Sequence, residues 1–381
     1  MKNLLVALCL LLAFPALAQE NYKTLSKEDS LKIYVGKTTY AVKTYTETHK
    51  VQKPKNIIFM IGDGMGVSAV HAGLTANGGQ LYLNNFKHLG FVTTNSASNY
   101  VTDSAAGGTA LSSGYKTYNG AIGVDTDTVA RPTILEKAEA KGFATGLVSS
   151  SAITHATPAS FIAHQPSRNH YEAIAGDFLK TDIDVFIGGG YKHFTDREDG
   201  RNLENELKSK GYTVLQDINQ IDRFKSGKLA GLTAPEHNPR MDERKDMLPR
   251  ATRKAIELLS QNKKGFFLMV EGSQIDWGGH QNNTIYIVEE MLDFDHCIGR
   301  ALEFASKNNE TLIVVTADHE TGGLGINNGE LDQKTVKGEF TTGGHTGVMV
   351  PVFAFGPGAE HFTGIMDNTD IPKKMMELLG L

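Results

Sequence analysis

Acidic and imidazole side chains gather in four short stretches of this chain: Asp63; His155 with Thr157; Glu271, Asp276 and His280; and Asp318, His319 and His345. Carboxylate and imidazole together suit zinc, whereas carboxylate, hydroxyl and water suit magnesium. Asp276 and His280 are four residues apart, a spacing that puts both on one face of a helix. Asp318 and His319 close a strongly apolar run, where two buried polar groups are costly unless partnered. A fifth stretch, YVTDSAAGGTA at 100–110, sets Ser104 among residues with almost no side chain. Serine is an ordinary helix-start residue. The small neighbours let something large approach the backbone, and the chemical question is what approaches Ser104.

Several apolar runs end in Gly, Asp or His: NIIFMIGDG at 56–64, GFATGLVSS at 142–150, DVFIGGG at 184–190, GFFLMVEG at 265–272, TLIVVTADH at 311–319 and VPVFAFGPG at 350–358. Continuous runs rich in Val, Ile and Phe suit strands buried on both faces. Between several of them lie helical patterns at 133–142, 247–265 and 287–309. This alternation predicts an α/β fold, a three-layer α/β/α sandwich around a mostly parallel central sheet. Such sheets bind ligands at the carboxyl ends of their strands. Asp63, Glu271, Asp318 and His319 stand at those ends. Residues 51–381 read as a single catalytic domain. Within a 19–50 extension, LKIYVGKTTYAVKTYTET at 31–48 predicts a hairpin before the main sheet. The charged stretch 196–246 predicts a surface excursion, not a second folding domain.

The opening MKNLLVALCLLLAFPALA has a basic start at Lys2, an apolar run at Leu4–Phe14 and an Ala16-Leu17-Ala18 cleavage pattern. It predicts a signal peptide over 1–18, cut before Gln19, and an exported protein, periplasmic or secreted. The run is too short to span a membrane. A lipoprotein anchor at Cys9 is the weaker reading, because Leu8 precedes it and the apolar stretch before it is short. Cleavage would leave Cys297 alone, so no internal disulfide could form and the core and bound metals must hold the fold. The net charge is −5 and no basic block stands out, which argues against a nucleic-acid partner. Forty of the 381 residues are Gly, above the usual share of about 7%.

At this point the motifs match a known family. The IGDG turn, VTDSAAGGTALSSG, THATPASFIAHQPSR, VEGSQIDWGGHQNN, TADHETGG and TGGHTG, in that order from about residue 54 to 358, resemble alkaline phosphatase. The form they resemble is bacterial, exported and compact. The resemblance implies three metal ions. Asp276, His280 and His345 match the ligands of a first zinc, and Asp63, Asp318 and His319 those of a second, which the Ser104 oxygen can join. Glu271, Thr157 and Asp63 match the magnesium site. Arg168 matches the arginine that grips phosphate, and Asp103 the neighbour that orients it. Ser104 then matches the nucleophile that carries phosphate covalently, and a homodimer is implied.

Two positions depart from the best-known enterobacterial pattern: His155 stands in place of an aspartate, and Trp277 in place of a lysine. Some cold-adapted marine bacterial members carry both. The expectation is that His155 sits behind a magnesium-bound water, outside the direct ligands, and weakens that site. Trp277 either tunes the site or packs beside it. The implied substrates are small phosphate monoesters of broad range. Two other readings share these residues. A phosphodiesterase, sulfatase or phosphomutase of the same superfamily is the first, although Ser104 lacks the C/S-x-P-x-R context of a sulfatase. A periplasmic phosphate- or metal-binding protein is the second, although it leaves the serine without a role.

Overall fold

The computed structural model describes residues 29–36, 39–48 and 51–381. The signal peptide expected at 1–18 lies outside the described residues. Among the described residues fifteen strands follow in chain order: β1 Ile33–Val35, β2 Asn56–Gly62, β3 His88–Thr93, β4 Ala144–Ala152, β5 Val185–Gly189, β6 Tyr212–Leu215, β7 Lys228–Leu232, β8 Phe266–Gly272, β9 Thr311–Thr316, β10 Glu320–Thr321, β11 Leu324–Glu330, β12 Thr335–Phe340, β13 His345–Thr346, β14 Val350–Phe355 and β15 Gly364–Asp367. Ten of them form one sheet, in the order β15-β3-β14-β9-β2-β8-β4-β5-β7-β6. Only β14 runs against the others. Helices cover both faces, so the expected α/β sandwich is what the chain forms.

The central strands β2, β8 and β9 are buried at every residue. Burial on both faces explains why their sequences are near-continuous apolar runs instead of alternating ones. All six apolar runs became strands of this sheet. The register matters for function. Ile61 pairs with both Glu271 and Thr316, and Glu271 pairs with Ser149. The carboxyl ends of four parallel strands therefore finish on one line, and the residues just past them converge.

Two expectations on organisation are corrected. Among the described residues of 31–48 no hairpin pairing forms; β1 pairs with Thr335–Lys337 of β12, and 39–48 run on without strand structure. The Asn77 and Asn85 side chains accept from the backbone of Tyr40 and Tyr45, and these bonds hold that segment in place of a partner strand. The 196–246 stretch is not an excursion from the sheet. It supplies β6 and β7, which extend the sheet at its far edge, because Leu229, Ala230 and Leu232 are apolar enough to bury.

Candidate metal and phosphate site

Asp63 leaves β2 through a tight turn. Gly64 there has φ +70, and a Cβ on it would strike the Asp276 backbone, so only glycine permits this approach. The Gly64 N–H donates to Asp318 Oδ1, joining the ends of β2 and β9. Asp276 and His280 do fall on one helix, Gln274–His280, with His280 Nε2 3.4 Å from Asp276 Oδ2. His345 arrives from β13 and lies 3.5 Å from Asp276 Oδ1 and 3.2 Å from His280 Nε2.

The tautomers of three imidazoles follow from their partners. His280 Nδ1 faces the Gly343 carbonyl at 2.7 Å, and His345 Nδ1 the Thr102 carbonyl at 2.9 Å. A carbonyl only accepts, so each Nδ1 carries the hydrogen. Thr321 gives its hydroxyl hydrogen to Asp276 Oδ1, so at His319 Nδ1, 3.2 Å away, it accepts. In the neutral form that binds a metal, all three rings therefore turn an Nε2 lone pair inward. His280 and His345 aim theirs at each other. His319 aims its own at Asp63 Oδ1, Asp318 Oδ2 and Ser104 Oγ, at 3.4, 3.3 and 3.2 Å. Lone pairs and carboxylates facing one another repel unless cations lie among them. Asp63 Oδ1 and Asp318 Oδ2 are also buried without a hydrogen bond. The donor set fits two ions held by nitrogen and oxygen.

A third group lies beside them. Ligand atoms of Asp63, His155 and Glu271 all come within 4.8 Å of one another, and Thr157 Oγ1 donates to Asp63 Oδ2 at 3.4 Å. Glu271 Oε1 is buried with no hydrogen bond. His155 thus brings a ring nitrogen among these possible ligand atoms. Without cations, burial and neighbouring carboxylates push Asp63 up and Asp318 to about 8, and burial pushes Glu271 up. Burial also drives His319 and His345 below the usual imidazole value. Burial would raise Asp276 too, but His280 and the other imidazoles hold it well below.

Ser104 opens the helix Ser104–Ser113, all of it buried, and Asp103 caps that helix through Ala106 N–H at 3.0 Å. Asp103, not the serine, is the cap. The small residues make room mainly for protein: a Cβ on Gly107 would press on Asp318 at 3.1 Å, and one on Gly108 on Ser160. The glycines thus bring the serine's helix against the strand-end carboxylates. Asp103 Oδ2 accepts from Arg168 Nη1 at 3.0 Å, and Arg168 Nη2 lies 3.2 Å from His155 Nε2. Burial would raise the Asp103 carboxyl, but Arg168 and two backbone N–H groups hold it below the usual range.

Trp277 is buried, its ring edge-on to His237 at 4.9 Å and to His155 at 6.2 Å. His237 was not foreseen. It comes from the charged 196–246 stretch, and its Nδ1 accepts from the N–H of Ala152 at the end of β4. Thr321 was missed as well. A threonine two residues past Asp318-His319 carries no signal in the sequence by itself. Cys297 is a buried helix residue far from these clusters in role, its Sγ on the Asp293 carbonyl.

The family model described as alkaline phosphatase matches residues 54–338 and 327–381. Alkaline phosphatase 3 of Bacillus subtilis is 38% identical, over 85% of this chain and 89% of that protein. The Escherichia coli alkaline phosphatase is 34% identical, over 86% of each. A solved structure of TAB5 alkaline phosphatase, a variant with one histidine replaced by aspartate and Mg bound in its M3 site, superposes with TM-score 0.82. It shares 41% identity and covers 87% of this chain and 99% of that one.

Proposed function

The chain belongs to the alkaline phosphatase family, a metal-dependent phosphate monoester hydrolase, and from that premise we propose how its own residues perform the reaction. Asp276, His280 and His345 hold one zinc, and Asp63, Asp318 and His319 a second. Asp63, Glu271 and Thr157 hold a magnesium ion. Bound there, the cations would cancel the charge of the converged carboxylates, acidify the serine hydroxyl and offset charge on the departing oxygen.

Ser104 is the nucleophile. Its oxygen bonds to phosphorus as the ester P–O bond breaks, and the alcohol leaves. Water then attacks the phosphoserine, releasing inorganic phosphate and restoring the hydroxyl, so one difficult displacement becomes two easier ones. The N-terminus of the Ser104–Ser113 helix adds N–H donors and a favourable dipole for the phosphoryl oxygens. Arg168, steadied by Asp103, offers its planar fork to two of them. Asp103 therefore does two jobs, as helix cap and as anchor of the arginine.

The observation that carries this reading is the inward-facing Nε2 of His319, which meets both Asp63 and Asp318 and lies 3.2 Å from Ser104 Oγ. The test compares turnover of an aryl phosphate, its diester and its sulfate, with acid quenching to trap label on Ser104. Monoester preference with labelled Ser104 supports the assignment. Diester or sulfate preference, or label elsewhere, rejects it.

The neighbouring TAB5 variant binds Mg with an aspartate replacing a histidine. If His155 is the matching position, the third site here takes magnesium less readily than a site with aspartate there. Residues 1–18 support export, and no described helix is long and apolar enough to cross a membrane. A homodimer is supported by an apolar strip at the sheet's edge. Ile365 pairs in register with Phe91, and both are exposed along with Leu89.

A further inference from the structure

Glu271 is held by serines that no part of the proposed reaction uses. Its Oε2 accepts from Ser149 Oγ at 2.5 Å and from Ser273 Oγ at 2.6 Å. These are the lengths of charge-assisted O–H···O⁻ bonds. Ser149 is Glu271's register partner on β4, and Ser273 follows the end of β8. A third serine, Ser151, lies 2.9 Å from Ser149 Oγ and 3.5 Å from Glu271 Oε2. All four residues have no exposed surface.

Each hydroxyl has one hydrogen to give. The Ser149 oxygen accepts from the Ser151 N–H at 3.0 Å, which leaves its own hydrogen for Glu271. Ser273 spends its N–H on Ser150 Oγ and its hydroxyl hydrogen on Glu271. Oε2 therefore has both lone pairs taken. Oε1, buried without a hydrogen bond, is the one oxygen left for a cation.

We infer that the Ser149–Ser273 pair makes Glu271 a one-oxygen ligand and so selects a small octahedral ion over calcium at the third site. This rests on the proposed assignment of Glu271, Asp63 and Thr157 to that site. Calcium takes six to eight oxygens and can draw two of them from one carboxylate. Magnesium accepts six, keeps several waters and tolerates few protein ligands. With Oε2 occupied, Glu271 supplies one oxygen and water must supply much of the shell. That shell suits magnesium, with six ligands and several waters, better than calcium, which takes up to eight. Ser149 and Ser273 are positioning residues, since they act on the ion only through Glu271.

The test uses wild-type protein stripped of metal, reloaded with zinc and titrated with magnesium or calcium. The readouts are the rise in Tm and bound metal by elemental analysis. Wild type should take up magnesium at lower concentration than calcium. In the Ser149→Ala/Ser273→Ala double variant, magnesium uptake should need about 10–100-fold more ion. Its preference for magnesium over calcium should narrow, because Glu271 is free to give both oxygens. Ser273→Ala alone should shift both quantities the same way by less, and serves if the double variant does not fold. An unchanged magnesium-to-calcium ratio in a folded variant overturns the inference, even if the metal-free Tm falls. A wild-type protein that takes up no third ion overturns the third site itself, a separate and recognisable result.

Discussion

The Ser104 hydroxyl lies 3.2 Å from Nε2 of His319, across a sequence separation of 215 residues. The serine reaches that place because Gly107, one turn along its helix, lets Asp318 press against the backbone. Ser104 and the carboxylate-imidazole cluster are thus packed side by side, through Gly107 and not through the serine side chain alone.

Ser104→Ala should therefore keep its fold and its metal content. Turnover should fall by orders of magnitude and no phosphoenzyme should be trapped. Some rate should survive, because the arginine and the charge of the site still stabilise the transition state. Steady-state kinetics with metal analysis check this; wild-type turnover in the variant rules out the assigned role.

Removing metal should lower stability. The three inward lone pairs and the buried carboxylates then face one another without compensation, and the described residues contain no disulfide. A chelator should lower Tm, and added zinc should restore it in proportion to its concentration. Calorimetry on protein shown to be metal-free provides the check. Coincident melting curves with and without metal contradict the prediction.

His155→Asp should saturate with magnesium at lower concentration than wild type. The substitution adds a negative charge and an oxygen donor within 4.8 Å of Asp63 and Glu271 ligand atoms. Imidazole favours zinc over magnesium, so zinc should compete less well in the variant. Parallel magnesium titrations at fixed zinc decide the matter, and equal half-saturation points reject the role given to His155.

A pH effect should come from Asp295, away from the metals. Burial pushes its carboxyl from 3.8 to about 6, although Tyr40 and the Tyr82 and Leu83 N–H groups donate to it. A raised folded value means the stabilising contribution is complete below the unfolded value and is lost as pH rises through about 6. The stability of wild type relative to Asp295→Asn should thus decrease by about 1 kcal/mol from about pH 5 to about pH 8. Urea titrations of both proteins measure the difference. A gap that does not change with pH shows that Asp295 is not titrating in a buried state.

The strands of the central sheet were legible because burial on both faces forces apolar runs, as in Ile57–Ile61 and Leu312–Val315. Direction was not, since a doubly buried run such as Val350–Phe355 reads the same whichever way it lies. β3 escaped notice because its exposed Leu89 and Phe91 break the expected alternation. The convergence around Asp318 and His319 was legible because charge at the end of an apolar run needs a partner, and that of Asp276 with His280 because their spacing puts both on one helix face. Ser149, Ser273 and His237 were not. A serine or a lone histidine is common on any surface, and only register and packing reveal what it faces.

The position of β2 has a consequence for how the protein comes into being. It lies between β8 and β9, and Asn56 has Thr311 beside it. Both edges of the sheet's oldest central strand wait for segments made more than half a chain later. Contacts of such long separation fold slowly, because loop closure must precede any gain. A chain stopped short of His345 has its nucleophile and most of its carboxylates but no closed pocket. Activity should therefore emerge only when the polypeptide is nearly complete, which keeps a hydrolase silent for as long as it is still being built.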